Sequence, residues 1–164
     1  MTTHNDLLRQ LRGALHYDDA TLAAIFTLGG HPVAPEAVAA LLKKAGAPGH
    51  QPCTHPELEC FLNGLIIHRR GRKAGAPEPV KNPDALLTNN DILKKLRIAL
   101  DLHEEEMLAI LQQTGLEITK YDLSDLFRKD GHKHYKDCSD ALLGLFLKGL
   151  AARYRLPAPG GTTV

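Results

Sequence analysis

Histidine and cysteine are the side chains of this sequence whose types and spacing could hold a metal ion. The chain has nine histidines and three cysteines. Two clusters have ligand-like spacing: His50, Cys53, His55 and Cys60 in the first half, and His132, His134 and Cys138 in the second. Zinc is bound by such side chains, usually four together. A zinc site at the second cluster is therefore kept as an alternative, while the main expectation is no metal and no cofactor.

Catalytic signatures are missing from the sequence. It contains no G-x-S-x-G elbow, no phosphate-binding G-x-x-x-x-G-K-[ST] loop and no H-E-x-x-H. Three consecutive acids, Glu104 to Glu106, follow His103. Acids at the start of a helix favour its positive dipole end, which explains them without acid–base chemistry. We therefore expect no enzymatic activity and assign no catalytic residue.

Positive charge is clustered locally, although the totals balance at 20 Lys and Arg against 19 Asp and Glu. The basic residues lie at the ends of two predicted helices and in one loop. They are Arg69, Arg70, Arg72, Lys73, Arg128, Lys129, Lys133, Lys136, Arg153 and Arg155. Cations at helix C-termini are stabilising, which accounts for some of them. The remainder indicate a surface that could hold a phosphate backbone of RNA or DNA.

Length and composition bound the class of protein. The chain has 164 residues, of which 43% are hydrophobic, enough to exclude wholesale disorder. No apolar run approaches the length of a membrane span, so no membrane association is expected. Few cysteines and an N-terminus without an apolar signal region predict a reduced, cytoplasmic protein.

The chain is a tandem repeat. At an offset of 85 residues, 3–70 aligns with 88–155 without a gap, and 21 of the 68 pairs are identical. The sequence between them, 71–87, contains three prolines and is predicted to be a spacer. The tail, 156–164, is expected to fray. The same small fold is therefore encoded twice.

Each copy has helical periodicity and no alternating stretch that would favour a strand. Four helices per copy are predicted. Their starts are Thr3, Asp18, Pro35 and Thr54 in copy one, and Thr88, Asp101 or His103, Thr119 and Ser139 in copy two. Glycines at 30 and 115 are expected to end helix two. The fold class is thus all-α, with two homologous four-helix subdomains in a pseudo-twofold relation, packed through helices one and four or joined by the linker.

Cys53 and Cys138 have a structural explanation in this scheme. Each precedes a predicted N-cap and lies five residues before a leucine, the spacing of a hydrophobic staple. Arg12 and Arg97, present in both copies, are interpreted as residues whose stems cover the core and whose heads pair with acids. Asn5 and Asn90 are interpreted as first-turn hydrogen-bonding residues. Apart from Cys138 in the alternative zinc site, none of these six is assigned to a site.

Several blocks of the sequence carry a family likeness. LTNNDILKKLRIAL, LFRKDGHKHYKDCSD and FLKGL, with their first-copy partners, resemble the YehS-like family of small bacterial proteins, a domain of unknown function (number 1456) that occurs twice per chain. The resemblance covers nearly all of 3–155. It implies a cytosolic, all-helical protein with no assigned activity, cofactor or catalytic residue.

Two functions follow from the remaining features. The first is nucleic-acid binding through the basic strips, with a helix-turn-helix-like order of helices two and three whose exposed face in copy two starts at Lys120 and Tyr121. The connection there is about two residues longer than in the tight DNA-binding turn. The alternative is a protein–protein adaptor that uses an apolar helix-four seam at Leu65, Ile66 and Ile67. Whether the chain forms oligomers is left open.

Overall fold

A computed structural model describes residues 3–71, 86–129 and 131–154 of the chain. Within these residues the protein is all-α, which confirms the predicted fold class. It has eight helices and no strand in the described ranges: α1 (His4–Leu15), α2 (Asp19–Leu28), α3 (Pro35–Leu42), α4 (His55–Arg70), α5 (Asn89–Ala99), α6 (Glu104–Gln113), α7 (Lys120–Leu126) and α8 (Asp140–Arg153). The tail at 156–164 and nearly all of the predicted spacer at 71–87 lie outside the described residues.

Side-chain caps define where the helices begin. In α1, α4, α5, α6 and α7 a carboxylate at the third helical position accepts a hydrogen bond from the N-cap backbone N–H. In α8 the Ser139 hydroxyl caps the Leu142 N–H at 3.0 Å, and the third position is Leu142 itself. Gly30 and Gly115 have φ of 95° and 92°, and each comes shortly after the end of a helix-two element. The predicted helix starts and stops are confirmed.

Helix one of each repeat packs against helix four of the other repeat. The main contacts between repeats are α1 with α8 and α4 with α5. His55 at the start of α4 accepts the Leu87 N–H at 3.0 Å, and Arg70 at its end pairs with Asp101, which follows α5. The α4–α5 pair is therefore parallel. The exchange is reciprocal, as a pseudo-twofold requires, and one continuous core runs through both repeats.

The helix-four seam proposed for a protein adaptor is not an exposed surface. Leu65, Ile66 and Ile67 are only 0%, 5% and 8% exposed. They belong to the buried side of α4, the helix that packs against both α2 and α5. The prediction of an open seam there is wrong, because the second repeat supplies the apolar cover that a single repeat lacks. Among the described helices, none is long and apolar enough to cross a membrane.

Two histidines pack together where the repeats meet. The His4 and His55 rings are 4.5 Å apart, centroid to centroid, and His4 Nδ1 lies 3.1 Å from the Cys53 carbonyl oxygen. In the second repeat the equivalent residues are Asn89 and Asp140, joined by a hydrogen bond of 2.8 Å, and Asn89 also donates to the Cys138 carbonyl. Only the first repeat therefore builds this contact from histidines.

This histidine pair predicts a pH dependence of stability. Burial, together with nearby His55, lowers the pKa of His4 below its ordinary value, although its hydrogen bond to Cys53 acts in the opposite direction. The unfolded chain therefore binds the proton more readily, and stability should be lost as the pH falls below about 6.5. His4→Asn, which copies the second repeat, should keep the bond to Cys53 and flatten this dependence. Urea midpoints of both proteins between pH 5 and 8 measure it, and parallel curves would contradict it.

Candidate functional site

The predicted basic residues lie in two groups at opposite ends of α5. Arg70 contacts Asp101 just after α5, while the loop that follows α7 lies against the start of α5 at Asn90. An 11-residue helix separates the two ends by about 16 Å. Arg72, Lys73 and Arg155 lie outside the described residues. The helix-four ends and the 128–136 loop are therefore two separate basic surfaces.

Each described arginine at the helix-four ends contacts another side chain of the protein. Arg70 is 2.7 Å from the Asp101 carboxylate, and its hydrogen bond lowers the pKa of that acid. Arg153 contacts Glu106 at 2.6 Å. Arg69 donates to the Tyr17 hydroxyl at 3.2 Å, and its guanidinium lies 5.9 Å from the centre of the Tyr154 ring. Arg70 with Asp101 and Arg69 with Tyr154 link the two repeats, whereas Arg153 pairs within the second repeat. Because all three arginines contact other groups of the chain, we place the candidate site at the loop.

The loop forms one wall of a groove in the second repeat, which we call the basic groove. Its volume is about 520 Å³, and it lies between the start of α5 and the segment after α7. Lys94 on α5 faces Arg128, Lys129 and Tyr135 across it, with the acid Asp91 also in the lining. Lys133 and Lys136 are exposed on the same loop. The arrangement concentrates cations around a concave surface that is large enough for a phosphate group and its sugar.

A buried asparagine fixes the position of this loop. The Asn90 amide nitrogen donates to the carbonyl oxygens of Leu126 at 2.9 Å and Lys136 at 2.8 Å. Its amide oxygen accepts the Cys138 N–H at 2.8 Å. Asn5 makes the equivalent three bonds in the first repeat. Asn5 and Asn90 are therefore hydrogen-bonding residues of the first helical turn, as interpreted, but their partners are distant backbone groups, so they join helix one to the loop before helix four.

The similarity of this chain to known proteins falls into two segments, one for each repeat. The family model described as "Protein of unknown function (DUF1456)" matches residues 4–71 and again 89–155. The chain belongs to the DUF1456 family. "Uncharacterized protein YehS" of Escherichia coli (strain K12) is 38% identical to it over 149 residues, which are 91% of this chain and 94% of that protein. No solved structure matches. The two DUF1456 segments coincide with α1–α4 and α5–α8.

Cationic side chains at equivalent positions of the two DUF1456 repeats make different contacts. Position by position, Lys94 and Arg128 correspond to Arg9 and Lys43. Arg9 donates to the Leu42 carbonyl at 2.8 Å and pairs with Asp6, and Lys43 donates to the Pro48 carbonyl at 2.7 Å. In the first repeat these cations hold the repeat's own loop. Of the two second-repeat equivalents, Lys94 is exposed, while Arg128 pairs with Asp125 at 2.8 Å. Lys94 is a groove residue that the sequence analysis did not single out.

An arginine of helix one stabilises the wall of the basic groove in this DUF1456 chain. Arg97 donates to the Leu102 carbonyl at 3.1 Å, and its guanidinium lies 4.7 Å from the centre of the Phe127 ring. It contacts an aromatic face and a carbonyl where an acidic partner was expected. Its first-repeat equivalent, Arg12, does lie 3.3 Å from an acid, Asp19. Both arginines thus serve the fold, by different contacts.

The alternative zinc site does not form a cluster in this DUF1456 structure. His132 and His134 are exposed in the loop, whereas Cys138 is buried beneath the start of α8. Burial raises the pKa of the Cys138 thiol to about 11, which keeps it protonated at neutral pH. Among the described residues no group of three or more His, Cys, Asp or Glu is placed to hold a metal ion. The cysteine instead packs in the core, as the staple interpretation expects.

The helix-two, turn, helix-three element of the second repeat has a short second helix. The helix α7 has seven residues, and Thr114–Thr119 separate it from α6. Its exposed face includes Tyr121, which is 71% exposed and lies under the Lys120 amine at 5.4 Å. Arg128, two residues after the end of α7, is paired with Asp125 at 2.8 Å. This element flanks the basic groove, and the resemblance to a DNA-reading unit stays a prediction.

Proposed function

We propose that this protein is a non-enzymatic nucleic-acid-binding protein of the cytoplasm, and that it holds a phosphate backbone in the basic groove. The observation that carries the proposal is the position of Lys94, Arg128 and Lys129 around one concave surface. Phosphate contacts from lysine and arginine supply the larger part of nucleic-acid affinity without reading sequence. Tyr135 in the lining adds a ring and a hydroxyl at the same surface.

Local charge supports the proposal better than total charge does. Two acids offset part of the positive charge at the groove. Asp125 pairs with Arg128, and Asp91, which caps α5, lies in the lining. Lys133 and Lys136 extend the positive surface along the loop. An RNA or DNA strand that runs from Lys94 along this loop would meet successive amines. Because only a few phosphates are contacted, we expect moderate affinity that falls as salt rises, with a slope set by the number of phosphates neutralised.

The repeats provide a matched pair of variants for testing this function. Lys129 in the second repeat and Lys44 in the first occupy equivalent, exposed positions. We expect Lys129→Glu to weaken binding of a fluorescein-labelled 20-nucleotide RNA at least fivefold at low salt, because it puts a carboxylate beside the phosphates. Lys44→Glu should change binding less than twofold. Anisotropy titrations between 50 and 200 mM salt measure both affinities. The negative slope of log affinity against log salt should become shallower by roughly 0.7–0.9 for each phosphate that the variant no longer neutralises.

The same titration with duplex DNA of equal length shows which of the two nucleic acids the protein binds more tightly. Equal affinity of the wild-type chain and the Lys129 variant at every salt concentration would refute the proposal at this groove. So would equal losses of affinity in the Lys44 and Lys129 variants, since that pattern reports total charge alone. Circular dichroism of each variant establishes that the helices are intact.

A further inference from the structure

A second concave surface of the second repeat lies between the loop before α7 and the first turns of α8. We call it the α7–α8 groove. Its volume is about 310 Å³, and its lining includes Leu116, Leu142 and Leu145. These three leucines are only partly buried. The surface is therefore apolar at its centre and open to solvent, and it is separate from the cations that line the basic groove.

The first repeat has a polar pair where the α7–α8 groove has leucines. His31 and Glu57 are the equivalents of Leu116 and Leu142. The His31 ring nitrogen lies 3.2 Å from the Glu57 carboxylate, so a polar contact crosses the first repeat at this place. The same helix positions thus occur twice in one chain, with a polar contact in one copy and partly buried leucines, packed against the edge of the core, in the other. The fold itself does not require leucine here.

The leucine at position 142 is also unfavourable for its own helix. It occupies the third position of α8, where five other helices carry an acid that completes the cap. A glutamate there would complete the capping box with Ser139, which stabilises a helix start by an additional hydrogen bond. A local choice that lowers helix stability and exposes an apolar group is typical of a functional surface.

The rim of the α7–α8 groove is mainly acidic. Glu117, Asp122 and Asp137 line it, with Lys136 as the one amine among its lining residues. Glu117 and Asp137 are exposed. An apolar floor with acidic edges is complementary to a segment that carries apolar side chains beside positive charge.

We propose that the α7–α8 groove binds a short segment of a partner protein in which one or two leucine-like side chains are flanked by lysine or arginine. The apolar side chains occupy the space between Leu116 and Leu142, and the flanking cations face the rim acids. This interaction does not depend on nucleic-acid binding, because the two linings share a single residue, the buried Leu126. The chain would then hold a protein segment and a nucleic acid on one repeat.

A pair of synthetic peptides tests the groove directly on the full chain. The probes are fluorescein-labelled KKLALKK and its counterpart EELALEE. We expect saturable one-to-one binding of the lysine peptide and at least tenfold weaker binding of the glutamate peptide, measured by anisotropy. Leu142→Glu should weaken the lysine peptide at least tenfold, although it adds a negative charge that would attract lysine in a purely electrostatic complex.

The variant is chosen so that loss of binding cannot come from unfolding. Leu142→Glu completes the cap of α8, so its urea midpoint should equal or exceed that of the wild type. The double variant Leu116→His, Leu142→Glu reproduces the first repeat's pair and should lose the peptide equally. Lys129→Glu should leave peptide binding unchanged, which keeps this test separate from that of the basic groove.

Three results would overturn the proposal. The first is equal affinity of the wild type for the two peptides, and the second is unchanged affinity of Leu142→Glu for the lysine peptide. The third is a concentration-dependent dimer of the wild type that Leu142→Glu abolishes in light scattering, because a second copy would then be the occupant of the groove.

Discussion

Gly64→Ala should destabilise the protein by about 3 kcal/mol, which is roughly 6–12 °C in Tm for a chain of this size. Gly64 lies where α4 crosses α2, and a methyl group at this position would overlap the Ile25 carbonyl group. The obstacle is backbone within a helix, so the two helices themselves would have to move apart. Separating them would open the core around Phe26 and Phe61, whose rings are 5.1 Å apart.

The second repeat offers a matched control for this effect within one helix. Gly149 is the equivalent of Gly64, and a methyl group there would overlap the Ile110 carbonyl oxygen. Gly144 is also in α8, but a methyl group there would meet nothing within 4 Å. Gly149→Ala should therefore cost about 2–3 kcal/mol, whereas Gly144→Ala should be neutral or stabilise by about 0.5–1 kcal/mol because alanine favours helix. Urea denaturation measures all three variants, and similar midpoints for the two α8 variants would contradict the close-approach argument.

Asn90→Ala should cost about 3–5 kcal/mol, because it leaves two buried backbone groups and one partly buried group without their hydrogen-bond partner. Asn90→Asp tests the same bonds with almost no change of shape. The aspartate oxygen can still accept the Cys138 N–H, but the other oxygen would face the Leu126 and Lys136 carbonyls. We expect this contact to raise the pKa of that carboxyl in the folded state, since its ionised form is repelled. The loss of stability should therefore be smallest below about pH 4 and grow as the pH rises.

The Asn5 variants are the control that separates stability from function. Asn5→Asp should cost a similar free energy of unfolding, because Asn5 makes the equivalent three bonds. Only Asn90 holds the loop that carries Lys129, so only its variant should weaken RNA binding at a temperature where both proteins are folded. Unfolding midpoints and RNA titrations on the same samples test this. An Asn90 variant as stable as the wild type would show that the loop is held in another way.

Much of the local structure could be predicted from the sequence, because caps and glycine stops act over a few residues. Thr3, Thr54 and Thr119 cap helices as expected, and Gly30 follows the end of α2 with positive φ. The repeat at an offset of 85 residues supported these predictions, since each helix could be identified in two related sequences. The choice between packed and separate repeats was open, because an apolar stripe does not show which helix will cover it.

The site was harder to predict than the helices. Ile66 and Ile67 were interpreted as an exposed seam because their equivalents are alanines, yet they lie on the buried side of α4. Lys94 was missed because 34 positions separate it from Arg128, and the bonds from Asn90 to the loop bring the two walls together. A buried asparagine at the same position of both repeats was the available signal. Its long-range role could not be read from sequence spacing.

The reciprocal exchange of helices one and four makes this chain equivalent to a symmetric dimer fused into one polypeptide. In a dimer of identical subunits, every substitution is made twice and both symmetry-related surfaces change together. Fusion removes that constraint. One half can retain contacts that serve the fold, such as Arg9 with Leu42 and His31 with Glu57, while the other half has an exposed lysine and two partly buried leucines at the equivalent positions. The division of work between the two halves is thus a property that a dimer with the same core could not acquire.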